Sequence, residues 1–212
     1  MARIGYLKDD LLAAVANELA GLGFKRRGRS CDFETDVSLG TGTFHVMFVR
    51  IRSVDEWDVG ADMSIYVEPI EQLLQTVSAG EATVGVDIGN WVEGRAKRWV
   101  LKDRCDVHPV AREMEDAVRG VVLPFFDQFS DLGAREKALS IEGKTAWRLC
   151  GAPVNRALVL LAIELLRGRN PDDFVTARKK LFQEVWPNQL ATFESKATKM
   201  RDHARSILAL GN

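Results

Sequence analysis

"CDFETDVSLGTGTFHVMFVRI" (residues 31–51) is the stretch that decides the fold. Within it the apolar spacing settles at two. "CDFETDV" (31–37) and "TFHVMFVRI" (43–51) read as strands, joined across "SLGTG", whose two glycines suit a hairpin loop. On the second strand Phe44, Val46 and Phe48 share one face, and His45, Met47, Val49 and Ile51 share the other. Apolar residues on both faces predict a central strand covered on both sides.

Upstream the period is helical. Leu7, Leu11, Val15, Leu19 and Leu22 recur at spacings of three and four and form one stripe. Gly21 and Gly23 end that helix, because glycine takes the left-handed conformation of a helix C-terminus at little cost. Next comes "GFKRRGRS" (23–30), with Lys25, Arg26, Arg27 and Arg29 where positive charge complements a helix dipole and Phe24 placed to plug a core.

Downstream, "VGADMSIYV" (59–67), "ATVGVDIG" (82–89) and "AKRWVL" (96–101) bring the sheet to about five strands, and "EPIEQLLQTV" (68–77) is a short helix with Pro69 in its first turn. Residues 106–129 return to the helical period, with Val110, Met114, Ala117, Val118, Val121, Val122 and Phe125 on one stripe. Asp106 is placed to cap this helix, Pro109 belongs in its first turn, and Pro124 should kink or end it. Beyond residue 131 three helical stretches are separated by "RNP" and "WPN", with no internal repeat. The expected class is α+β: an N-terminal helix, a mainly antiparallel sheet of about five strands covered by a long helix, and a C-terminal helical segment. The expected division is an α+β domain over 1–139 and a helical extension over 140–212, packed on or beside it.

Composition narrows the function. The 212 residues are 46% hydrophobic and 28% charged with a net charge of −1, so no global field drives the molecule onto nucleic acid or lipid. Cys31, Cys105 and Cys150 are too few and too scattered for a disulfide framework. The start, "MARIGYLKDDLL", lacks the apolar run of a secretory signal, and "ALVLLAIELL" (157–166) is too short to span a bilayer. A cytoplasmic protein without membrane association is expected.

Three motifs suggest chemistry and none is complete. "EGKTAW" (142–147) carries the Gly-Lys-Thr tail of a phosphate-binding loop, but Ala138 stands where the first glycine belongs. Cys105 and His108 have C-x-x-H spacing without a second pair, which favours a helix start with a buried Cys105 over half a zinc site. No local signature surrounds Cys31 or Cys150 as a nucleophile, and the carboxylate spacing singles out no acid–base pair. Accordingly no catalytic, cofactor-binding or metal-ligating residue is assigned, and the reading leans away from an enzyme.

Charge patterning says more. Between Ser53 and Glu93 lie Asp55, Glu56, Asp58, Asp62, Glu68, Glu71, Glu81, Asp87 and Glu93, with no lysine or arginine. "GRAKRWVLKDR" (94–104) then packs Arg95, Lys97, Arg98, Lys102 and Arg104 around Trp99. The acidic block, with Asp55, Glu56, Asp58, Asp62, Glu68 and Glu71 as its contact residues, predicts a surface for a basic protein partner. The alternative is a nucleic-acid-binding module built on segments 25–29 and 95–104. In it Lys25, Arg26, Arg27, Arg29 and Lys97 contact phosphates, and Trp99 is either a stacking platform or, as preferred, a core residue beside Leu101. A homo-oligomer is compatible with either.

The ordered set "LGFKRRGRS", "SIYVEPIEQLL" and "VLPFFDQFSDL" resembles an uncharacterised bacterial family, the domain of unknown function numbered 4304. The likeness lies in a leading helix followed by Gly-Phe, basic residues and Gly, and in a late helix ending Leu-Pro-Phe-Phe. It spans roughly residues 7–135. It implies an α+β domain in bacterial cytoplasm, transfers no catalytic residue, and by analogy of fold suggests an adaptor or an immunity-like partner.

Overall fold

The computed structural model describes residues 5–77, 84–141 and 143–210. The fold is α+β, and the chain divides into two compact units: Met1–Ile65 with Gly85–Asp131, and Tyr66–Val84 with Leu132–Asn212. This division differs from a break at residue 139, because the helix Glu68–Gln75 packs with the C-terminal helices and not with the strands that flank it in sequence.

In the first unit, helix α1 (Gly5–Ala20) buries Leu7, Leu11, Leu12, Val15 and Leu19. It ends through Gly23, whose φ of 83° is the left-handed turn that glycine permits. The strands are β1 (Lys25–Arg26), β2 (Asp32–Val37), β3 (Gly40–Ile51), β4 (Glu56–Tyr66), β5 (Val84–Asp87) and β6 (Trp99–Leu101). Their order is β1-β2-β3-β4-β5, with β6 also paired to β4. The pairs β1–β2, β2–β3 and β4–β6 are antiparallel. The β2–β3 turn is tighter than "SLGTG" suggests: Val37 already pairs with Gly40, so only Ser38 and Leu39 turn.

One sheet face is sealed. Phe33, Phe44, Val46, Val59, Ala61, Met63, Ile65, Trp99 and Leu101 point into it and are buried. A helical segment covers it: α4 (Val107–Ala117), a π-helical stretch Val118–Val122, and α5 (Leu123–Phe129), with α1 packed on α4. Phe24 is buried, its ring 6.2 Å from that of Phe126. Pro124 neither ends nor breaks this segment. It has no N–H to give and its ring crowds the preceding turn, and the turn widens there, so that the Leu123 N–H bonds Val118 O, five residues back.

Two local expectations are corrected. The cap before α4 is Asp103, whose side chain accepts from the Cys105 N–H, while Asp106 returns to the Lys102 and Asp103 N–H groups to complete a capping box. Asp106 makes no side-chain cap bond to α4 itself. Cys105 is exposed, not buried. The short helix α3 (Ile88–Val92) starts on Asp87, whose Oδ1 accepts from the Asn90 N–H at 2.9 Å.

In the second unit, α2 (Glu68–Gln75), α6 (Leu132–Ser140), α7 (Lys144–Leu149), α8 (Pro153–Leu166), α9 (Pro171–Val185) and α10 (Leu190–Leu210) enclose their own core. Leu158 through Ile163 are all buried, and Phe182 stacks on Phe193 at 4.8 Å. Arg156 is buried with its guanidinium over Trp147 and Trp186, and it donates to Cys150 O at 3.2 Å. The Gly-Lys-Thr tripeptide opens α7 after helix α6, a helix-to-helix turn and not a strand-to-helix phosphate loop. No helix among the described residues is long and apolar enough to cross a membrane.

A Cβ on Gly42 would lie 2.4–2.9 Å from the Phe126 ring, so this position admits only glycine without displacing the covering helix. Gly42→Ala should destabilise the protein by about 1–3 kcal/mol, read as a lowered urea midpoint. Gly120→Ala, where a Cβ meets nothing within 4 Å, should leave the midpoint unchanged or raise it.

Candidate functional site

The second face of the sheet is polar. β3 is central, as its sequence suggests, yet it is covered on one side only: Val49 is 60% exposed and the His45 side chain 42%. Alternation sends Asp32, Glu34 and Asp36 of β2 to this face, because Phe33 between them points inward. By the same rule β4 contributes Glu56, Asp58 and Asp62, and β5 contributes Asp87. These seven carboxylates share the face with Lys25, which stands opposite Glu34, with Arg27, which pairs with Glu34, and with Arg98 and Lys102.

A row of ionisable groups crosses the middle of this face. Asp32 and His45 are register partners, and the His45 Nδ1–H donates to Asp32 Oδ1 at 2.5 Å. Asp62, on the same face, is within electrostatic reach of His45, Asp87 and Arg98. The Asp62 carboxyl is held above the ordinary aspartate range, chiefly by burial and then by the charge of Asp87, while His45 and Arg98 pull the other way.

Arg98 anchors the far end. Its Nη1 donates to Asp87 Oδ2 at 3.0 Å and to Lys97 O at 2.9 Å, and its Nε lies 3.9 Å from Asp58 Oδ1. The guanidinium lies against Gly60, where an added Cβ would come within 2.6 Å of Nη1 and 3.1 Å of Met47 Cε. A bare backbone there lets the arginine lie against the sheet.

The acidic block between Ser53 and Glu93 is therefore not one surface. Asp58 and Asp62 belong to the polar face, and Glu56 sits at its edge, 3.2 Å from Lys102. Asp55 occupies the β3–β4 turn with φ of 53° and pairs with Arg50 at 2.6 Å. Glu68 belongs to the other unit, exposed at the start of α2, where it accepts from Gln72. Glu71 is only 2% exposed, which removes it as a contact residue. Glu81 lies outside the described residues. In its place the fold adds Asp32, Glu34 and Asp36, whose spacing of two in "CDFETDV" is the signal that would have found them.

The basic segments are partly engaged with neighbouring carboxylates and with backbone carbonyls. The 25–29 run is a junction: Arg26 Nε donates to Ser30 O at 2.8 Å, Arg29 O accepts from Arg26, and Arg27 pairs with Glu34 at 3.4 Å. Trp99 is buried at 5% exposure, its Nε1 donating to Glu113 at 3.0 Å, so it offers no stacking platform. Lys97 Nζ lies 5.0 Å from the Trp99 ring centroid. No cluster of three or more His, Cys, Asp or Glu side chains among the described residues is arranged to hold a metal ion.

Asp62 holds its proton more tightly folded than unfolded, so stability falls as pH rises from the ordinary aspartate value through the raised one. Asp62→Asn removes that cost. The variant should melt above wild type at pH 7, with the gap closing as the pH is lowered into the range where Asp62 is protonated in both states. Thermal melts across pH 3–8 read this directly. No family model, curated protein or solved structure matches the chain.

Proposed function

We propose that this protein is a binding module that engages a basic protein surface through the polar face of its sheet, in an adaptor or immunity-like role. The supporting observation is the convergence on one face of Asp32, Glu34, Asp36, Glu56, Asp58, Asp62 and Asp87 against Lys25, Arg27, Arg98 and Lys102, from strands far apart in sequence. Such a field steers a positively charged partner and disfavours a polyanion. Val49 and Val100, 60% and 44% exposed on the same face, supply apolar contact beside the charges. The nucleic-acid reading loses support because Lys25 and Arg27 sit beside Glu34 and Trp99 is internal.

A photo-crosslinking residue placed at Val49 of the full-length protein, in its native cells, should capture a basic protein. Glu34→Lys with Asp36→Lys should abolish capture and slow association with the identified partner by about tenfold at low salt. Asp116→Lys, on the exposed side of α4, should leave both unchanged. Capture of nucleic acid, or of a partner indifferent to the double reversal, would count against the reading.

A further inference from the structure

The second unit reverses the charge balance of the first. It carries fourteen lysines and arginines against eleven aspartates and glutamates, where the first unit carries fifteen against nineteen. Part of the excess gathers on one side of α10. Thr192, Ser195, Lys196 and Lys199 recur at spacings of three and four and so share a stripe of that helix, while Phe193, Ala197 and Met200 turn inward and are buried. With Ala191, and with Thr76 and Val77 at the end of α2, the stripe lines a cleft of about 460 Å³.

No carboxylate of either helix balances these lysines. On α10, Glu194 is committed to Lys179 at 2.8 Å, and Asp202 lies 3.7 Å from Arg205. On α2, Glu71 is buried, and Glu68 stands at the far end of the helix from Thr76, accepting from Gln72. Among the described residues neither Lys196 nor Lys199 makes an ion pair or a hydrogen bond, and the Thr192 and Ser195 hydroxyls donate to no protein acceptor. Thr76, by contrast, gives its hydroxyl to Leu73 O at 2.7 Å. Two like charges one helical turn apart repel each other, so negative charge brought between them relieves a local cost.

We propose that this cleft docks an acidic segment of a partner protein. Lys196 and Lys199 pair with its carboxylates, Thr192 and Ser195 donate hydrogen bonds to them, and Val77 and Ala191 give its aliphatic stems an apolar wall. A nucleic acid fits less well, because a cleft with two cations and no aromatic side chain offers neither a backbone-tracking groove nor a stacking surface. The site does not rest on the polar face of the sheet; it gives the chain a docking surface of the opposite sign.

The test uses the full-length protein and a fluorescein-labelled deca-glutamate peptide, with dissociation constants read by anisotropy at low salt. Lys196→Glu with Lys199→Glu should weaken binding at least about tenfold. Lys144→Glu with Lys180→Glu, the same change of net charge at exposed positions outside the cleft, should weaken it by less than about threefold. Thr192→Val with Ser195→Ala, which leaves the charge untouched, should weaken it by about threefold or more. Equal losses from the two charge reversals, a hydroxyl variant that binds as wild type does, or no binding at low salt overturns the proposal. Tighter binding of a labelled single-stranded DNA than of the peptide overturns it in favour of nucleic acid. Self-association that the Lys196→Glu, Lys199→Glu variant abolishes overturns it in favour of a second copy of the chain. A failure here leaves the basic-partner reading of the polar face standing, since that reading is tested by capture at Val49.

Discussion

Phe126 rests on the bare backbone of Gly42, and that contact seats the covering helix on the sheet. Around it Phe24, Phe33, Phe44, Phe125 and Phe129 fill the space between layers, with Trp91 edge-on to Phe125 at 5.3 Å. Burial of this many aromatic rings is the dominant stabilising term of the unit. It also dictates where charge goes. A strand with one face sealed by apolar packing must send every second residue the other way, so the charges interleaved in β2, β4 and β5 have only the polar face to occupy.

The long helical stripe, the hairpin and the class of fold are legible because period alone reports them. Which face of β3 is covered is not. Met47, Val49 and Ile51 satisfy the pattern of a buried strand, yet they share the uncovered face with His45, and Val49 and Ile51 are exposed. Apolar side chains on a face carrying His45 are compatible with either outcome, and the neighbouring strands settle it by bringing carboxylates. Glu71 illustrates the converse: read along the chain it continues an acidic run, but its helix places it on the inward side with Ile70 and Leu74, and it is buried.

Pro124 and Asp103 show how local rules yield to local geometry. A proline in mid-helix leaves the carbonyl four residues back without its bond, and the π-helical stretch before it relieves the crowding while helical structure continues through Leu123–Phe129. Asp103 and Asp106 share one capping box, so the carboxylate nearest the helix in sequence serves the loop and the one farther away serves the helix start. Neither preference is visible from spacing without the position of the first turn.

The polar face is organised by a shortage of positive charge. Arg98 lies against Gly60, and its guanidinium is already committed to Asp87, to the Lys97 carbonyl and, more loosely, to Asp58. Lys102 is drawn to Glu56 and His45 to Asp32. Arg98 and Lys102 are therefore occupied, while Asp62 lies near Asp87 and is partly withdrawn from water. A half-buried carboxylate in that position resists ionisation unless positive charge arrives from outside the chain. The same arrangement means that a positive charge brought to this face would favour the ionised form of Asp62.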